Sequence, residues 1–145
     1  MSEAQVLVNG VKVGEWPYGY NSFSFDITGA LRQGRNEIVV LLENRPFSSR
    51  WYPGAGLYRK VRLIETNPVH IPVWGVFITT PKVSAEEAGV RISTNVEGAA
   101  EGETLLVRTR IFDNEGRIVA ERTDSRAICH GDPAIQNLIV PSPKL

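Results

Sequence analysis

The stretch that decides the fold is Val6-Leu7-Val8-Asn9-Gly10-Val11-Lys12-Val13, in which Asn-Gly lies between two alternating runs of valine. A two-residue type I′ turn needs φ above zero at both central positions, and asparagine and glycine tolerate that conformation best. Residues 6–13 therefore predict an antiparallel β-hairpin.

The pattern continues outward from this hairpin as short strands. Residues 23–27 alternate again, and Asp26 or Thr28 is placed to cap a single helical turn that ends near Gly34. Residues 36–43 predict a buried strand and residues 57–65 another. About five strands result, with no long amphipathic helix.

Prolines 68 and 72 predict a linker over residues 67–72, which separates a domain at 1–66 from one at 73–145. In the second domain, the sequence predicts a strand from Val76 that ends before Pro81 and two strands with alternate apolar residues at 90–96 and 105–111. A hairpin at 113–116 is predicted to lead into residues 118–120, and a last strand is predicted at 135–140. Such spacing predicts an all-β, immunoglobulin-like antiparallel sandwich, although the Cys…Trp…Cys spacing of antibody domains is missing.

Composition narrows the function classes. The 145 residues are 42% apolar and 22% charged, which is typical of a globular protein. Sixteen basic and sixteen acidic residues cancel, so neither nucleic acid nor a membrane surface is predicted as a partner. A lone Cys129 excludes an internal disulfide. The start lacks the apolar region of a signal peptide, and the compartment, periplasm or cytoplasm, stays open.

The segment Ser49-Arg50-Trp51-Tyr52-Pro53-Gly54-Ala55-Gly56-Leu57-Tyr58-Arg59 combines aromatic rings and arginines with residues that shape a loop. Aromatic faces stack on the C–H faces of sugars, and arginine supplies directed donors to hydroxyl or carboxylate oxygens. A sugar-binding loop is one interpretation. A corner of the core that covers a sheet edge is the other.

A second aromatic cluster consists of Trp16, Tyr18 and Tyr20. It can be a sugar-stacking patch, but alternate aromatics also suit a half-buried strand, and packing is the preferred interpretation.

No catalytic constellation is predicted. Glycoside cleavage needs two carboxylates around one cleft, whereas the adjacent Glu86 and Glu87 fall in a predicted turn. The segment Cys129-His130-Gly131-Asp132 has no second cluster at a zinc-like spacing. Neither a metal nor another cofactor is therefore predicted.

Several motifs, taken in order, carry a family resemblance. They are Val8-Asn9-Gly10, Tyr18-Gly19-Tyr20, Phe23, Phe25-Asp26-Ile27-Thr28, Gly34-Arg35-Asn36-Glu37-Ile38-Val39-Val40 and Arg50-Trp51-Tyr52-Pro53-Gly54-Ala55-Gly56-Leu57-Tyr58-Arg59. The chain up to Pro68 resembles the N-terminal jelly-roll domain of glycoside hydrolase family 2, above all its bacterial β-galactosidase branch. Residues 112–120 and 139–145 resemble the immunoglobulin-like sandwich that follows in those enzymes.

This resemblance implies a partial jelly roll followed by an immunoglobulin-like sandwich, in a chain that starts within the first domain and stops before the catalytic β/α barrel. Both catalytic glutamates belong to that barrel, so no residue here is assigned a catalytic role and the chain alone is not expected to be an enzyme. Arg50, Trp51 and Tyr52 are expected to border the galactoside pocket of the intact enzyme. Gly54, Gly56 and Arg59 are expected to support the loop, with Arg59 paired to a carboxylate or carbonyl.

Three functions follow as alternatives. The chain is a non-catalytic part of a β-galactosidase-like enzyme, a stand-alone carbohydrate-binding module, or an adhesion or structural protein with tandem sandwiches. A jelly roll without its early strands also leaves open sheet edges and an apolar face, so self-association through the first domain is expected.

Overall fold

The computed structural model describes residues 2–44, 46–47, 54, 56–129 and 131–144. The chain folds as two compact units, Met1–Leu63 and Ile64–Leu145. The division predicted from sequence, into 1–66, 67–72 and 73–145, stays a prediction. In the described part of the chain, no helix has the length and apolar character needed to span a membrane.

The first unit contains a three-stranded antiparallel sheet. Its strands are β1 (Ser2–Val8), β2 (Val11–Tyr18) and β3 (Ile38–Glu43), in the order β2-β1-β3. Val8 pairs with Val11 across the turn, where Asn9 has φ 52° and Gly10 has φ 84°. The predicted hairpin at 6–13 is therefore confirmed.

The side chain of Asn9 has a second role that connects the hairpin to the segment before β3. Its Nδ2 donates to the carbonyl of Ala30 at 2.9 Å and to Oδ1 of Asn36 at 2.8 Å, and its Oδ1 accepts from the Glu37 N–H at 3.0 Å. The predicted helical turn lies in this segment as a 3₁₀ turn, Thr28–Ala30, and Asp26 Oδ1 accepts from the Thr28 N–H at 2.8 Å. One asparagine thus fixes both the turn and the entry to β3.

Two predicted strands of the first unit are wrong. Residues 23–27 and 57–65 belong to no strand. Phe23 packs its ring on Trp16 (centroids 6.1 Å apart) and meets Phe25 (5.4 Å), so the first segment is held by ring contacts and not by a ladder. Residues 57–65 are exposed throughout, and no described strand offers them backbone hydrogen-bond partners.

Strand β3 exists as predicted, but it is not buried. Ile38, Val39 and Leu41 are all exposed, whereas Val40 and Leu42 are half-buried. Strand β3 pairs only with β1 and lies at the edge of the described sheet, so an apolar run does not guarantee burial.

Gly14 of β2 provides the space that Phe25 occupies. A Cβ at position 14 would overlap the Phe25 ring, with 2.7 Å to Cζ. We expect Gly14→Ala to destabilise the first unit by about 1–3 kcal/mol, because a planar ring must move aside. Urea unfolding followed through β1 amide signals measures the change. Gly29→Ala, where an added Cβ meets nothing within 4 Å, is the control; equal effects of the two substitutions would contradict the packing role.

The second unit has two antiparallel sheets. One has the order β4-β5-β8 and consists of β4 (Val76–Val83), β5 (Glu87–Thr94) and β8 (Ala134–Pro141). The other pairs β6 (Thr104–Phe112) with β7 (Ile118–Ala127). With the sheet of the first unit, every described sheet is antiparallel, and the predicted all-β class is confirmed.

Most of the predicted pattern in the second unit is confirmed. Alternate residues of β6 from Leu105 to Ile111 are half-buried while their neighbours are exposed, and residues 113–116 close the hairpin into β7. The prediction that the first strand ends before Pro81 is wrong. Strand β4 continues to Val83, because it is an edge strand whose register shifts between Thr79 and Lys82, where a missing N–H is tolerated.

Side chains connect the two sheets where no ladder does. Gln136 of β8 is only 1% exposed; its Nε2 donates to the Val107 carbonyl (3.0 Å) and to Asp124 Oδ2 (3.1 Å), and its Oε1 accepts from the Thr109 hydroxyl (2.6 Å). The Arg122 guanidinium donates to the carbonyl of Asn137 at 3.1 Å. Among the described residues, the core of this unit is thus apolar apart from the hydrogen-bonded amide of Gln136 and the buried Thr94.

Candidate carbohydrate-binding surfaces

Arg50, Trp51 and Tyr52, the residues predicted to border a sugar pocket, lie outside the described residues. Their role stays a prediction. The same loop is described again at Gly54 and from Gly56 onward, so the geometry at its C-terminal end is defined.

Gly56 has φ +118°, a conformation that an L-residue with a side chain rarely adopts. A Cβ at Gly54 or Gly56 would meet nothing within 4 Å. The requirement for glycine at position 56 is therefore conformational and not a matter of space. Their supporting role for the loop itself stays a prediction.

Arg59 lies over the neighbouring ring of Tyr58, with 5.3 Å between its guanidinium carbon and the ring centroid. This cation–π contact places a flat cation against an exposed aromatic face beside the loop. The carboxylate or carbonyl partner expected for Arg59 stays a prediction, and Tyr58 is the contact that the sequence analysis did not single out. Arg59 and Tyr58 are adjacent in the sequence, but adjacency alone does not indicate stacking.

The second aromatic cluster separates into two parts. Trp16 is half-buried and stacks on Phe23, and its indole Nε1 is buried with no acceptor among the described residues. Tyr18 and Tyr20 are instead exposed, with ring centroids 5.6 Å apart and planes inclined by 58°. The packing interpretation therefore fits Trp16, whose ring contact is defined.

A concave surface of about 640 Å³ lies in the second unit, between residues 69–71, the end of β5, and β6. Apolar side chains such as Val69, Val96 and Leu105 line it together with His70, Arg108 and others, and none of its lining residues is Asp or Glu. The described lining therefore supplies neither of the two carboxyl groups that glycoside cleavage needs. The sequence analysis predicted a linker at 67–72 and did not predict a concave surface beside it.

The carboxyl groups with shifted pKa values show no proton donor for acid catalysis. A hydrogen bond with Ser84 lowers the pKa of Glu86, and one from Arg122, followed by one from Gln136, lowers the pKa of Asp124. Glu87, the neighbour of Glu86, pairs with Lys82 at 2.6 Å. A glycosidase acid needs a raised pKa, so these shifts run in the wrong direction.

Metal ligands are also not clustered in the described ranges. Among residues 2–44, 46–47, 54, 56–129 and 131–144, no three His, Cys, Asp or Glu side chains are grouped to hold an ion. Cys129 is exposed, and His130 lies outside these ranges.

Comparison with known proteins gives a consistent answer. No family model matches the sequence. A β-galactosidase of Bacteroides ovatus is 37% identical over 98% of this chain and 17% of its own length. A solved glycosyl hydrolase family 2 member from Bacteroides cellulosilyticus superposes with a TM-score of 0.85 at 33% identity, over 99% of this chain and 19% of that one. A β-glycosidase from Bacteroides vulgatus gives a TM-score of 0.88 at 28% identity, over 99% and 18%.

These matches extend along nearly the whole chain but only a small part of each relative, and they confirm the β-sandwich fold class. By sequence and by fold, the chain belongs to glycoside hydrolase family 2, where it corresponds to a single segment of the larger enzymes.

Proposed function

We propose that the chain is the non-catalytic sandwich segment of a β-galactosidase-like glycoside hydrolase, in which it supports one wall of the substrate pocket. The observation that carries this proposal is the match to the Bacteroides ovatus β-galactosidase over 98% of this chain and 17% of that protein.

Within this proposal Arg50, Trp51 and Tyr52 contact the galactoside, and the loop that bears them ends at Gly56 and the Arg59–Tyr58 stack. Gly56, at φ +118°, sets the direction in which the backbone leaves the loop. The stacked guanidinium is held against its neighbouring ring, which restricts its rotamers beside the loop. The catalytic carboxylates are supplied by a barrel elsewhere in the parent enzyme.

The experiment uses the complete gene product that contains this sequence. We expect Trp51→Ala to lower kcat/KM for an aryl β-galactoside about tenfold, because a stacking face is removed from the pocket wall. Trp74→Ala is the control, since Trp74 is an exposed tryptophan of the second unit. Measured kcat and KM for both variants decide the question.

Three results would overturn the proposal. Equal kcat/KM for Trp51→Ala and the parent enzyme would remove the pocket role. A reading frame that encodes no barrel with two glutamates at strand ends would leave the carbohydrate-binding module as the better function. Turnover of the galactoside by the 145-residue chain alone would show that the chain is catalytic.

A further inference from the structure

The two sheets of the second unit do not cover each other completely. Val76 and Ile78 of β4 pair with Thr94 and Ile92 of β5, and cross-strand partners lie on the same side of a sheet. Ile92 also pairs with Gln136, whose amide bonds to β6, so this is the side that faces the other sheet. Thr94 and Ile92 are buried, whereas Val76 is 45% and Ile78 is 58% exposed. The inner side is therefore covered along β5 and open along β4.

Strand β6 has a free edge on the same side of the sandwich. It pairs with β7 along all nine residues, and among the described residues it pairs with no other strand. Strand β7 lies over β8, because the guanidinium groups of Arg122 and Arg126 donate to the carbonyls of Asn137 and Ile135. Since β6 follows β7 in one sheet while β5 and β4 follow β8 in the other, the unpaired edge of β6 is on the side of β4.

The concave surface of about 640 Å³ lies along this edge. Consecutive residues 105–108, whose side chains alternate between the two faces of β6, line it together with residues 69–71 and Thr94. Every second N–H and C=O group of an edge strand points away from its neighbour and is available for pairing. A further strand placed here would bond to those groups and would direct alternate side chains toward Val76 and Ile78. One extended segment therefore meets both needs.

The exposed side of β6 indicates which strand suits it. Arg108 and Arg110 lie on that side and share one carboxylate, Glu121 of β7, at 4.0 Å each. A second copy of β6 would add two more cations to this side. A strand with Asp or Glu at its outward positions would instead supply the opposite charge, and opposite charges on neighbouring strands stabilise a sheet.

The length of the relatives indicates where such a strand comes from. The chain spans only 17% of the Bacteroides ovatus β-galactosidase, so most of such an enzyme lies outside these 145 residues. We propose that a strand from that remainder pairs with the free edge of β6, with apolar residues toward Val76 and Ile78 and acidic residues beside Arg108 and Arg110. This inference rests on the proposed function only in that the chain is a segment of a larger enzyme.

The test compares amide hydrogen exchange of β6 in the 145-residue chain and in the complete gene product that contains it. We expect exchange in β6 to be at least about tenfold slower in the complete product, because the added strand bonds to the free edge. Replacing both arginines, Arg108→Glu with Arg110→Glu, should reverse about threefold or more of that slowing and change β6 much less in the 145-residue chain. Arg91→Glu, at an exposed arginine of β5, is the control and should leave β6 unchanged.

Equal exchange of β6 in the two proteins would overturn the proposal, as would a structure of the complete product in which β6 still pairs only with β7. Slowing that the double arginine variant leaves intact would overturn the acidic character of the strand. Protection in the 145-residue chain that rises with its concentration would overturn the proposal in favour of a second copy.

The kinetics of Trp51→Ala separate this inference from the proposed pocket wall. Slowed exchange in β6 together with unchanged kcat/KM for Trp51→Ala would support the added strand and remove the pocket role. Unchanged exchange in β6 together with reduced kcat/KM would remove the strand and keep the pocket role.

Discussion

Gly98→Ala is expected to destabilise the second unit by about 2–5 kcal/mol. Gly98 has φ +78°, which costs a residue with a side chain about 1–2 kcal/mol. A Cβ there would also overlap the Pro68 carbonyl oxygen and lie 2.6 Å from its carbon. Because the obstacle is backbone, no rotamer change relieves it, and overpacking adds about 1–3 kcal/mol.

The local consequence is the loss of a bridge next to the glycine. His70 and Glu97 exchange backbone hydrogen bonds of 3.0 and 2.9 Å, and this pairing holds the segment after Pro68 against the residues that follow β5. An alanine at 98 pushes the two segments apart. We therefore expect the amide of His70 to lose its exchange protection first.

Gly102 provides a matched control. Its φ is +77°, nearly the same as at Gly98, but a Cβ there meets nothing within 4 Å. Gly102→Ala should therefore cost only the conformational part, about 1–2 kcal/mol. Amide hydrogen exchange of β5 residues measures the free energy of opening in both variants. Equal losses for the two would show that the contact with Pro68 contributes nothing.

Gln136→Leu is expected to cost about 2–4 kcal/mol, since it removes an amide that is almost fully buried. The Thr109 hydroxyl and the Val107 carbonyl each lose a partner between the sheets, and a buried polar group left unsatisfied costs about 1–3 kcal/mol. Asp124 also loses a hydrogen bond from Gln136, but it keeps its 2.7 Å ion pair with Arg122, so its contribution to the cost is smaller. Urea unfolding followed through β8 amide signals measures the loss.

A double substitution separates the hydrogen bonds from the packing. Thr109→Val removes the hydroxyl from which Gln136 accepts, so the combination of Gln136→Leu with Thr109→Val leaves one polar group fewer without a partner. We expect the double variant to be more stable than the sum of the two single losses implies, by about 0.5–3 kcal/mol. Strict additivity would show that Thr109 and Gln136 are not coupled.

Features that depend on a few neighbouring residues could be predicted from the sequence. The Asn9–Gly10 turn is set by the φ values that those two residues tolerate, and the inward face of β6 is set by an alternation from Leu105 to Ile111. The aromatic cluster of Trp16, Tyr18 and Tyr20 could also be recognised from the sequence. Which of its rings pack and which stay exposed could not, because that depends on where Phe23 and Phe25 fold back.

The errors have a common physical cause. Residues 57–65 have the composition of a strand, but a strand exists only where a neighbour accepts and donates its backbone hydrogen bonds. Pro81 reads as a strand end, yet at an edge its missing N–H leaves no partner unsatisfied. In both cases the outcome depends on which strands lie beside the segment, and the segment's own sequence does not specify that.

The sequence by itself determined the all-β class, the hairpins and the family, because turn conformation, alternation and motif order are written in short stretches. Only the tertiary structure decided that Gln136 is a buried connection between two sheets, that Gly98 must lack a side chain beside Pro68, and that Tyr18 and Tyr20 stay exposed beside a packed Trp16. The reason is that burial and close approach are properties of pairs of segments, and no single segment specifies what will be packed against it.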